Sequence, residues 1–550
     1  DIEDDAQTIY VPEIHTTALD ESSGSHNVLA GKNAVIIDTV NYKNLIPGKE
    51  YTVTGTLMNK TTGEAVLDAE GNAITSTVKF VPEVANGSID VTFEFDASAL
   101  ENETLVVYEE VFLNEKKVGI HADIEDTEQT IYVPEIHTNA LDKSSGSHNI
   151  LAGKEVTIVD TVSYKNLIVG QEYTVKGILI DKSTGDAVKD ADGQNVSSKV
   201  TFRPENVNGS IDVEFTFDAS GLAGTTIVVF ESVLINEKEV AVHADIEDEA
   251  QTIHVPEIHT TALDNASGSQ NMLAQKDAVI IDTVNYKNLI IGQKYTITGT
   301  LMDKSTGKAI QDANDKPVTS SVTFTAEKVN GSIDIEFKFD ASALAGTTIV
   351  VFESVLVNEK EVGVHADIED DAQTIYVPEI HTTATDKADG DKKIISSSTV
   401  TITDKVEYKN LIPGKTYTVK GVLMDKSTGK KLLINNLPVT SSVTFTAEKA
   451  NGSINVDFTF NATGLKNRDV VVFETVLLDD FEIAVHEDIE DEGQTIHMLE
   501  KPGTLVPNYN NKNVKTGDDK PIFAILMVLL MSFIVTLSIV LYKRKLKKEL

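Results

Sequence analysis

A repeat of about one domain's length governs how this chain can fold. The segment 243–253, His-Ala-Asp-Ile-Glu-Asp-Glu-Ala-Gln-Thr-Ile, returns almost unchanged at His121, His365 and His486. Its glutamines are separated by 122, 122, 122 and 121 residues: Gln7, Gln129, Gln251, Gln373 and Gln494. Solenoid repeats are much shorter, whereas this period matches a small globular domain. The chain is therefore predicted to consist of tandem domains.

The glutamine positions also give the domain boundaries. We expect four complete repeats, at residues 9–130, 131–252, 253–374 and 375–496. Residues 1–8 carry the end of the same motif without its histidine and are interpreted as the remnant of a preceding repeat. Residues 132–138, which contain Pro134, are predicted to form a short, stiff linker between the first two repeats.

The residue pattern inside each repeat is typical of β-strands. Short stretches rich in Val, Ile, Thr, Phe and Tyr alternate apolar with polar residues and are separated by turns that contain glycine. In the first repeat the predicted strands are residues 35–42, 51–58, 74–80, 89–95, 104–113 and 118–124. Six or seven short strands per repeat favour an all-β chain of four tandem Ig-like β-sandwiches. Asn86-Gly87-Ser88 fits a glycosylation sequon, but a turn is favoured because Asn-Gly is a strong hairpin signal.

Charge and cysteine content exclude several classes of site. The formal net charge of −39 disfavours nucleic acid and other polyanionic partners. The sequence has no cysteine, which excludes disulfides, thiolate metal sites and a cysteine nucleophile. Asp123, Glu125 and Asp126 form an acidic cluster that could hold calcium, but they lack the spacing and the glycine of an EF-hand loop. We therefore expect a solvated strand end there, with no metal and no cofactor.

The C-terminal segment is predicted to anchor the chain in a membrane. Residues 522–542 carry no charge, and at about 1.5 Å per helical residue they span the roughly 30 Å hydrocarbon core of a bilayer. The basic tail 543–550 places that end in the cytoplasm and the acidic repeats outside. A buried core helix is the alternative, but it does not account for the basic cluster. Residues 497–521 are expected to be a polar tether between the last repeat and the transmembrane helix.

Five polar positions are unchanged in all four repeats, whereas most polar positions differ between copies. The threonines are Thr16, Thr138, Thr260 and Thr382, and the aspartates, 22 residues later, are Asp38, Asp160, Asp282 and Asp404. The glutamates, 20 residues before the glutamine, are Glu109, Glu231, Glu353 and Glu474. The histidines of the opening motif are His121, His243, His365 and His486, and its glutamines complete the set. Carboxylates within apolar strands are costly, so their recurrence indicates a common purpose.

These side chains suit one self-directed reaction. A threonine hydroxyl is a weak nucleophile that requires a base, usually histidine. A carboxamide is a poor electrophile whose oxygen needs a hydrogen-bond donor, and a buried carboxyl of raised pKa can donate. The predicted product is an ester between threonine and glutamine, with loss of ammonia. His121 is the expected base, because His15 precedes Thr16 on an extended strand and points to the opposite face. We also expect His243 and Gln251 to share one face of a last strand.

The repeats resemble T-Q ester bond domains, also described as VaFE repeats, of Gram-positive surface proteins. The resemblance covers residues 9–496 and rests on His-x7-Gln-Thr, on Val-Val-Phe-Glu at 228–231, 350–353 and 471–474, and on Asp-Thr-Val-Asn-Tyr at 38–42 and 282–286. It implies four ester crosslinks: Thr16 with Gln129, Thr138 with Gln251, Thr260 with Gln373, and Thr382 with Gln494. It further implies that the aspartate, glutamate and histidine of each repeat assist a single turnover, so that the protein is not an enzyme.

A second resemblance concerns the C-terminus. Residues 513–517, Asn-Val-Lys-Thr-Gly, lie before the apolar span and resemble a sortase sorting signal. The resemblance implies cleavage between Thr516 and Gly517 by a sortase and attachment to peptidoglycan. A retained membrane anchor is the alternative.

The predicted function is the structural stalk of a bacterial cell-surface adhesin or pilin-like protein. The stalk would hold a missing N-terminal region, with its host surface ligand, away from the cell wall. Two alternatives are open: the repeats are themselves adhesive modules that bind a host ligand, or the five residues form a hydrolase with turnover.

Overall fold

The computed structural model describes residues 8–190 and 193–501, which form four successive all-β units, repeats 1 to 4. Alternation of apolar and polar residues produces the strands, since one side chain in two is buried along most of them. The strands of repeat 1 are β1 (Glu13–Asp20), β2 (Ala34–Lys43), β3 (Tyr51–Asn59), β4 (Thr75–Phe80), β5 (Gly87–Phe95), β6 (Thr104–Leu113), β7 (Lys116–His121) and β8 (Thr130–Tyr132). The prediction of an all-β chain with four repeats is confirmed.

The other repeats follow the same order. Repeat 2 has strands Glu135–Asp142, Val156–Lys165, Tyr173–Asp181, Ser197–Phe202, Gly209–Phe217, Thr226–Ile235, Lys238–His243 and Thr252–His254, with a 3₁₀ turn at Glu249–Gln251. Repeat 3 has Glu257–Asp264, Ala278–Lys287, Lys294–Asp303, Lys308–Ala309, Thr319–Thr325, Gly331–Phe339, Thr348–Val357, Lys360–His365 and Thr374–Tyr376, with a 3₁₀ turn at Asp371–Gln373. Repeat 4 has Glu379–Asp386, Lys393–Ile395, Val400–Lys409, Thr416–Asp425, Lys430–Lys431, Leu433–Ile434, Leu437–Pro438, Thr440–Thr446, Gly452–Phe460, Arg468–Leu478, Phe481–His486 and Thr495–Leu499.

Each repeat is built around two facing sheets, which are antiparallel except for one parallel strand pair in repeat 4. In repeat 1 a three-stranded sheet has the order β1-β2-β5, and a five-stranded sheet has the order β4-β3-β6-β7 with β8 also paired to β6. The inner faces of both sheets contribute to one apolar core. Gly55 marks how closely they approach, because a Cβ there would collide with the Phe93 ring of the facing sheet. Glycine recurs at this position in every repeat: Gly177, Gly299 and Gly421.

The structure corrects the expectation for the segment between repeats. Residues 132–138 are not a linker, since β8 ends at Tyr132 and the first strand of repeat 2 begins at Glu135. The chain therefore passes from one repeat to the next through Val133 and Pro134 alone. Proline fits this point because it has no N–H that a sheet would need to pair.

The opening motif is also not one strand. β7 ends at His121, and the chain turns twice before β8 begins at Thr130, so the expectation that the histidine and glutamine share a face of one strand is wrong. Local hydrogen bonds cause the turns: Asp123 accepts the Glu125 N–H at 3.0 Å and Asp126 accepts the Glu128 N–H at 2.9 Å.

The Asn-Gly-Ser motif is not a hairpin turn. It lies where the chain passes from β4 in one sheet to β5 in the other. The Asn86 side chain accepts the Asn44 N–H at 3.1 Å and so ties this crossover to the end of β2.

The described residues contain no helix that is long and apolar enough to cross a membrane. The proposed span 522–542 lies outside the described residues, as do the tail 543–550 and the sorting residues Thr516 and Gly517. The same holds for residues 1–7 of the remnant and for the tether beyond residue 501.

Candidate functional site

Two strands of the smaller sheet position the threonine and the aspartate. Thr16 lies on β1 opposite Val40, and Asp38 lies on β2 opposite Ala18. The period of two turns Thr16, Ala18, Asp38 and Val40 to the buried face. Because Ala18 is small, it leaves room beside the Asp38 carboxyl in the core.

The larger sheet supplies the other three residues. Glu109 lies in the middle of β6, paired with Gly55 on one side and with His121 on the other. Gln129 follows the two turns and immediately precedes β8, and its carbonyl accepts the Val107 N–H at 3.2 Å. The fold therefore gathers five residues whose first and last members, Thr16 and Gln129, stand 113 positions apart in the sequence.

The threonine and glutamine side chains meet in every repeat. Gln129 Nε2 is in hydrogen-bond contact with Thr16 Oγ1, and the same contact joins Gln251 with Thr138, Gln373 with Thr260, and Gln494 with Thr382. All four glutamines are fully buried. The nucleophile and electrophile expected from the sequence are thus neighbours in a site closed to bulk solvent.

One glutamate oxygen contacts both partners. In repeat 1, Glu109 Oε2 accepts a hydrogen bond from Gln129 Nε2 and lies 3.2 Å from Thr16 Oγ1. The glutamine contact recurs in each repeat, and in repeat 3 Glu353 Oε2 also accepts from Thr260 Oγ1 at 3.1 Å. This carboxyl is therefore placed to exchange a proton with either reacting group.

The aspartate and glutamate carboxyl groups face each other across the sandwich, and their oxygens lack hydrogen-bond donors from the rest of the repeat. Both Asp38 oxygens and Glu109 Oε1 are buried, and no described residue outside this pair donates a hydrogen bond to them. Buried polar atoms are normally hydrogen-bonded, so one proton held between Glu109 and Asp38 satisfies this pair. The other repeats leave the same oxygens unpartnered: Asp160 with Glu231, Asp282 with Glu353, and Asp404 with Glu474.

The electrostatics place that proton on the glutamate. Burial, and then repulsion by the neighbouring Asp38, raise the pKa of Glu109 far above its usual range. Burial also raises the pKa of Asp38, but a hydrogen bond from Glu109 and the nearby His121 oppose the rise. The same order of causes, burial first, raises the pKa values of Glu231, Glu353 and Glu474. Each site thus holds a protonated glutamate beside an aspartate that ionises more readily.

A third acidic residue holds the histidine, and the sequence analysis does not identify it. His121 Nε2 lies 2.8 Å from Asp126 Oδ2, and the other repeats pair His243 with Asp248, His365 with Asp370, and His486 with Asp491 at 2.8, 2.9 and 3.3 Å. The signal was present, since an aspartate stands five positions after the histidine in every copy. It was assigned instead to a solvated acidic cluster.

In repeat 4 this pairing leaves the other ring nitrogen of His486 to face the threonine, whereas in repeat 2 His243 Nδ1 lies 3.3 Å from the Ile136 carbonyl. A proton on Nε2 that is donated to the aspartate makes Nδ1 an acceptor. In repeat 4, Thr382 Oγ1 and His486 Nδ1 are 2.9 Å apart, as a base and its nucleophile should be. Burial, more than any other cause, lowers the pKa of His486, which keeps the ring neutral.

The second histidine of each repeat lies outside the buried cluster. The His15 ring is exposed and meets the His121 ring edge to face, with centroids 6.1 Å apart, while its Nε2 binds Glu13 at 2.9 Å. It covers the histidine of the site but contacts neither Thr16 nor Gln129.

The four repeats match one known family of domains. The T-Q ester bond containing domain family matches residues 12–133, 134–255, 256–377 and 378–498. The chain therefore belongs to the T-Q ester bond domain family, which is not a known family of enzymes, and contains four copies of the domain.

Similar solved structures include a bacterial adhesin from Mobiluncus mulieris described as containing intramolecular disulfide, isopeptide and ester bond cross-links. It is 15% identical, covers 47% of this chain and 90% of its own, and has a TM-score of 0.20. An alpha-2-macroglobulin from Escherichia coli, activated by porcine elastase, is 10% identical over 90% of this chain and 44% of its own, with a TM-score of 0.18. A comparison with curated protein sequences gave no match.

Proposed function

We propose that each repeat forms an intramolecular ester between its threonine and its glutamine, and that the chain is a crosslinked stalk at a bacterial cell surface. The observation that carries the proposal is the fourfold contact of threonine Oγ1, glutamine Nε2 and a glutamate held protonated by burial. Packing alone would not bring a threonine, a glutamine and a glutamate together in the core of every repeat, because burying polar groups costs free energy.

The proposed reaction conserves atoms and protons. Thr16 Oγ1 attacks the carboxamide carbon of Gln129 and gives its proton to His121 Nδ1. Protonated Glu109, which touches Gln129 Nε2, delivers its proton to that nitrogen, and ammonia leaves as the C–N bond breaks. His121 then returns its proton to Glu109, so both groups end as they began. Asp126 keeps the His121 ring in the required tautomer, as the aspartate does in a serine-protease triad.

Intact mass tests the chemistry directly. The measured mass of the full chain should be lower than the mass calculated from its sequence by four ammonia molecules. For Thr138→Ala or Gln251→Ala, the difference from the mass calculated for the variant should fall to three. The matched control is Asn139→Ala, which changes the exposed neighbour of Thr138 and should keep all four losses. A wild-type mass equal to that of the sequence would rule out the ester.

The position of the crosslink supports a mechanical role. Thr138 and Gln251 lie 113 residues apart, near the two ends of repeat 2. A bond between them would carry a pulling force past the sandwich instead of through its sheets. By analogy with disulfides, closing such a loop removes on the order of 4 to 5 kcal/mol of unfolded-state entropy.

Single-molecule pulling on the full chain tests the stalk. The intact array should show no unfolding of the segments between crosslinked residues. Thr138→Ala should add one event, which releases about 380 Å for the roughly 112 intervening residues at roughly 3.4 Å each. If the wild-type chain already unfolds four times, the repeats do not bear load through esters. Binding of the intact array to host matrix or cells would instead favour the adhesive role.

The attachment to the cell is proposed from the sequence. Residues 522–542 would hold the chain in the membrane until a sortase cuts after Thr516 and joins it to peptidoglycan. Thr516→Ala should then leave the protein in the membrane fraction, while the wild type is found in the cell wall.

A further inference from the structure

The junctions between repeats are bridged by buried side-chain hydrogen bonds. At the first junction, the Tyr173 hydroxyl donates to Asn27 Oδ1 at 2.7 Å. The same bond joins Tyr295 with Asn149 and Tyr417 with Asn271, both at 3.0 Å. Each tyrosine also accepts an N–H of its own repeat, so it is fixed from both sides: from Ile168, Ile290 and Ile412. The orientation of one repeat on the next is therefore specified by particular side chains.

A second contact at each junction runs through an asparagine. Thr104 of repeat 1 donates to Asn166 Oδ1 at 3.0 Å, and Asn166 Nδ2 donates back to the carbonyls of Glu103 and Val133. The equivalent threonine–asparagine pairs are Thr226 with Asn288 and Thr348 with Asn410. Asn166 and Asn288 are buried as a result.

A third contact closes the first two junctions. Asn236 of repeat 2 donates to the Ser23 carbonyl at 3.0 Å, and Asn358 of repeat 3 donates to the Ser145 carbonyl at 3.1 Å. Repeat 4 has Asp479 at this position, and a carboxylate cannot donate to a carbonyl.

The C-terminal end of repeat 4 has lost both side chains that hold a successor. Lys393 stands where the earlier repeats have Asn27, Asn149 and Asn271, and it offers no acceptor to a tyrosine hydroxyl. Asp469 stands in place of Thr104, and it binds His497 of its own repeat at 2.8 Å. Leu499 replaces the proline at which the other repeats leave the sheet, and the last strand instead continues beside Lys393–Ile395 in parallel pairing.

The N-terminal face of repeat 1 retains the tyrosine and the asparagine that contact the preceding repeat at the other junctions. Tyr51 is buried and its oxygen accepts the Ile46 N–H at 2.8 Å, but no described residue accepts its hydrogen. Asn44, the counterpart of Asn166, is exposed and uses only its amide, toward the Val11 carbonyl at 3.3 Å.

We infer that the N-terminal face of repeat 1, formed by Tyr51, Asn44 and Asn114, the last being the counterpart of Asn236 and Asn358, is a docking surface for the C-terminal end of another T-Q domain. The partner is one that carries asparagine and threonine at the positions of Asn27 and Thr104. The end of repeat 4, with Lys393 and Asp469, does not accept such a domain. The array is thus directional, with one receptive end and one closed end.

Distance measurements by spin labelling test this, and the absence of native cysteine makes labelling specific. In one full-length chain, residues 1–11 are replaced by a second copy of residues 12–133, which preserves the Val-Pro junction. In another, a copy of residues 134–255 is inserted between Met498 and Leu499. Cysteines at Glu94, Thr216 and Thr459, which are exposed and equivalent, carry the labels on either side of each junction.

The added N-terminal junction should give the same mean distance and width as the native pair Glu94 and Thr216. The added C-terminal junction should give a distribution at least twice as wide. Tyr51→Phe with Asn44→Ala should widen the N-terminal junction, whereas Tyr108→Phe, which introduces the phenylalanine that the other repeats carry at this position, should not. Lys393→Asn with Asp469→Thr should narrow the C-terminal one.

Two results would overturn the inference: an N-terminal junction as wide as the C-terminal one, or a wild-type C-terminal junction as narrow as the native pair. Loss of ammonia from repeat 1, measured by peptide mass, shows independently whether the Tyr51→Phe chain has folded around its site. If no ester forms even in the wild type, retention of the native distance between Glu94 of repeat 1 and Thr216 of repeat 2 serves the same purpose.

Discussion

Repeat 4 and the three repeats before it have the same buried site within different surroundings. The contact of Thr382 with Gln494 and Glu474 repeats that of the other copies. Around it, Lys392 replaces His26, His148 and Gln270, and its Nζ donates to the Ala384 carbonyl at 2.6 Å. The comparison separates the reaction from its surroundings: five side chains stay fixed while the neighbouring residues vary with the position of the repeat.

The largest expected effect comes from removing the protonated carboxyl. Glu231→Ala and Glu474→Ala should each abolish the ester in their own repeat and leave the other three intact, because each site draws on residues of one repeat only. Peptide mass spectrometry of the full chain locates the uncrosslinked repeat. Loss of more than one ester from either variant would show that the repeats do not react independently. Glu239→Ala, on the surface of repeat 2, is the control.

The histidine–aspartate pair should separate repeat 4 from the others. In Asp248→Asn the amide would donate to His243 Nε2, force the proton onto Nδ1 and slow crosslinking by about 10²–10⁴-fold, the range for loss of general base catalysis. Asp491→Asn should cost less, because the His486 to Asp491 contact is longer and Thr382 already donates to His486. The rates are measured by peptide mass at intervals after cell-free synthesis.

Two variants control this experiment. His137→Ala removes the exposed ring that meets His243 edge to face, and it should leave the rate of repeat 2 unchanged. Asp248→Ala should slow the reaction less than Asp248→Asn, since alanine does not impose the wrong tautomer. Equal rates for Asp248→Asn and the wild type would exclude a role for the pair.

Stability without the crosslink should depend on pH in a defined direction. In Thr138→Ala, Glu231 keeps a folded pKa above its usual value of 4.5, so the folded state holds a proton that the unfolded state releases. The stabilisation is complete below about pH 4.5 and is lost as the pH rises toward the folded pKa, by about 1.4 kcal/mol per pH unit for one proton.

Pulse proteolysis in urea between about pH 5 and pH 9 measures this slope for repeat 2. Adding Glu231→Gln, which cannot ionise, should flatten it. A stability that increases with pH in Thr138→Ala would contradict the protonated state of Glu231.

The smallest expected effect concerns Lys392 itself. Its charge favours ionised Asp404, so Lys392→Gln should raise the pKa of that aspartate. In a profile of crosslinking rate against pH, the low-pH decline of repeat 4 should then move upward by less than about one pH unit. Gln270→Lys in repeat 3 should move the decline in the opposite direction. Profiles that coincide before and after both changes would show that the lysine is too far from the dyad to matter.

The sequence by itself determined the period, the β-strand pattern and the candidate residues. A carboxylate within an apolar strand marked Asp38 as costly, and comparison of the four copies isolated the five residues without any structure. It failed for Asp126, because a carboxylate beside other carboxylates near a turn has the same pattern as a solvated cluster. It failed also for residues 132–138, since Pro134 suggested a linker where only Val133 and Pro134 separate two strands.

Only the tertiary structure decided how these pieces meet. The facing of Asp38 and Glu109 depends on two sheets whose strands do not pair with each other, and the contact of Tyr173 with Asn27 joins residues 146 positions apart. Periodicity along one strand carries no information about which face of another sheet will cover it. The physical reason is that packing across the sandwich and across each junction is set by side-chain shape and burial in three dimensions, which local sequence patterns do not encode.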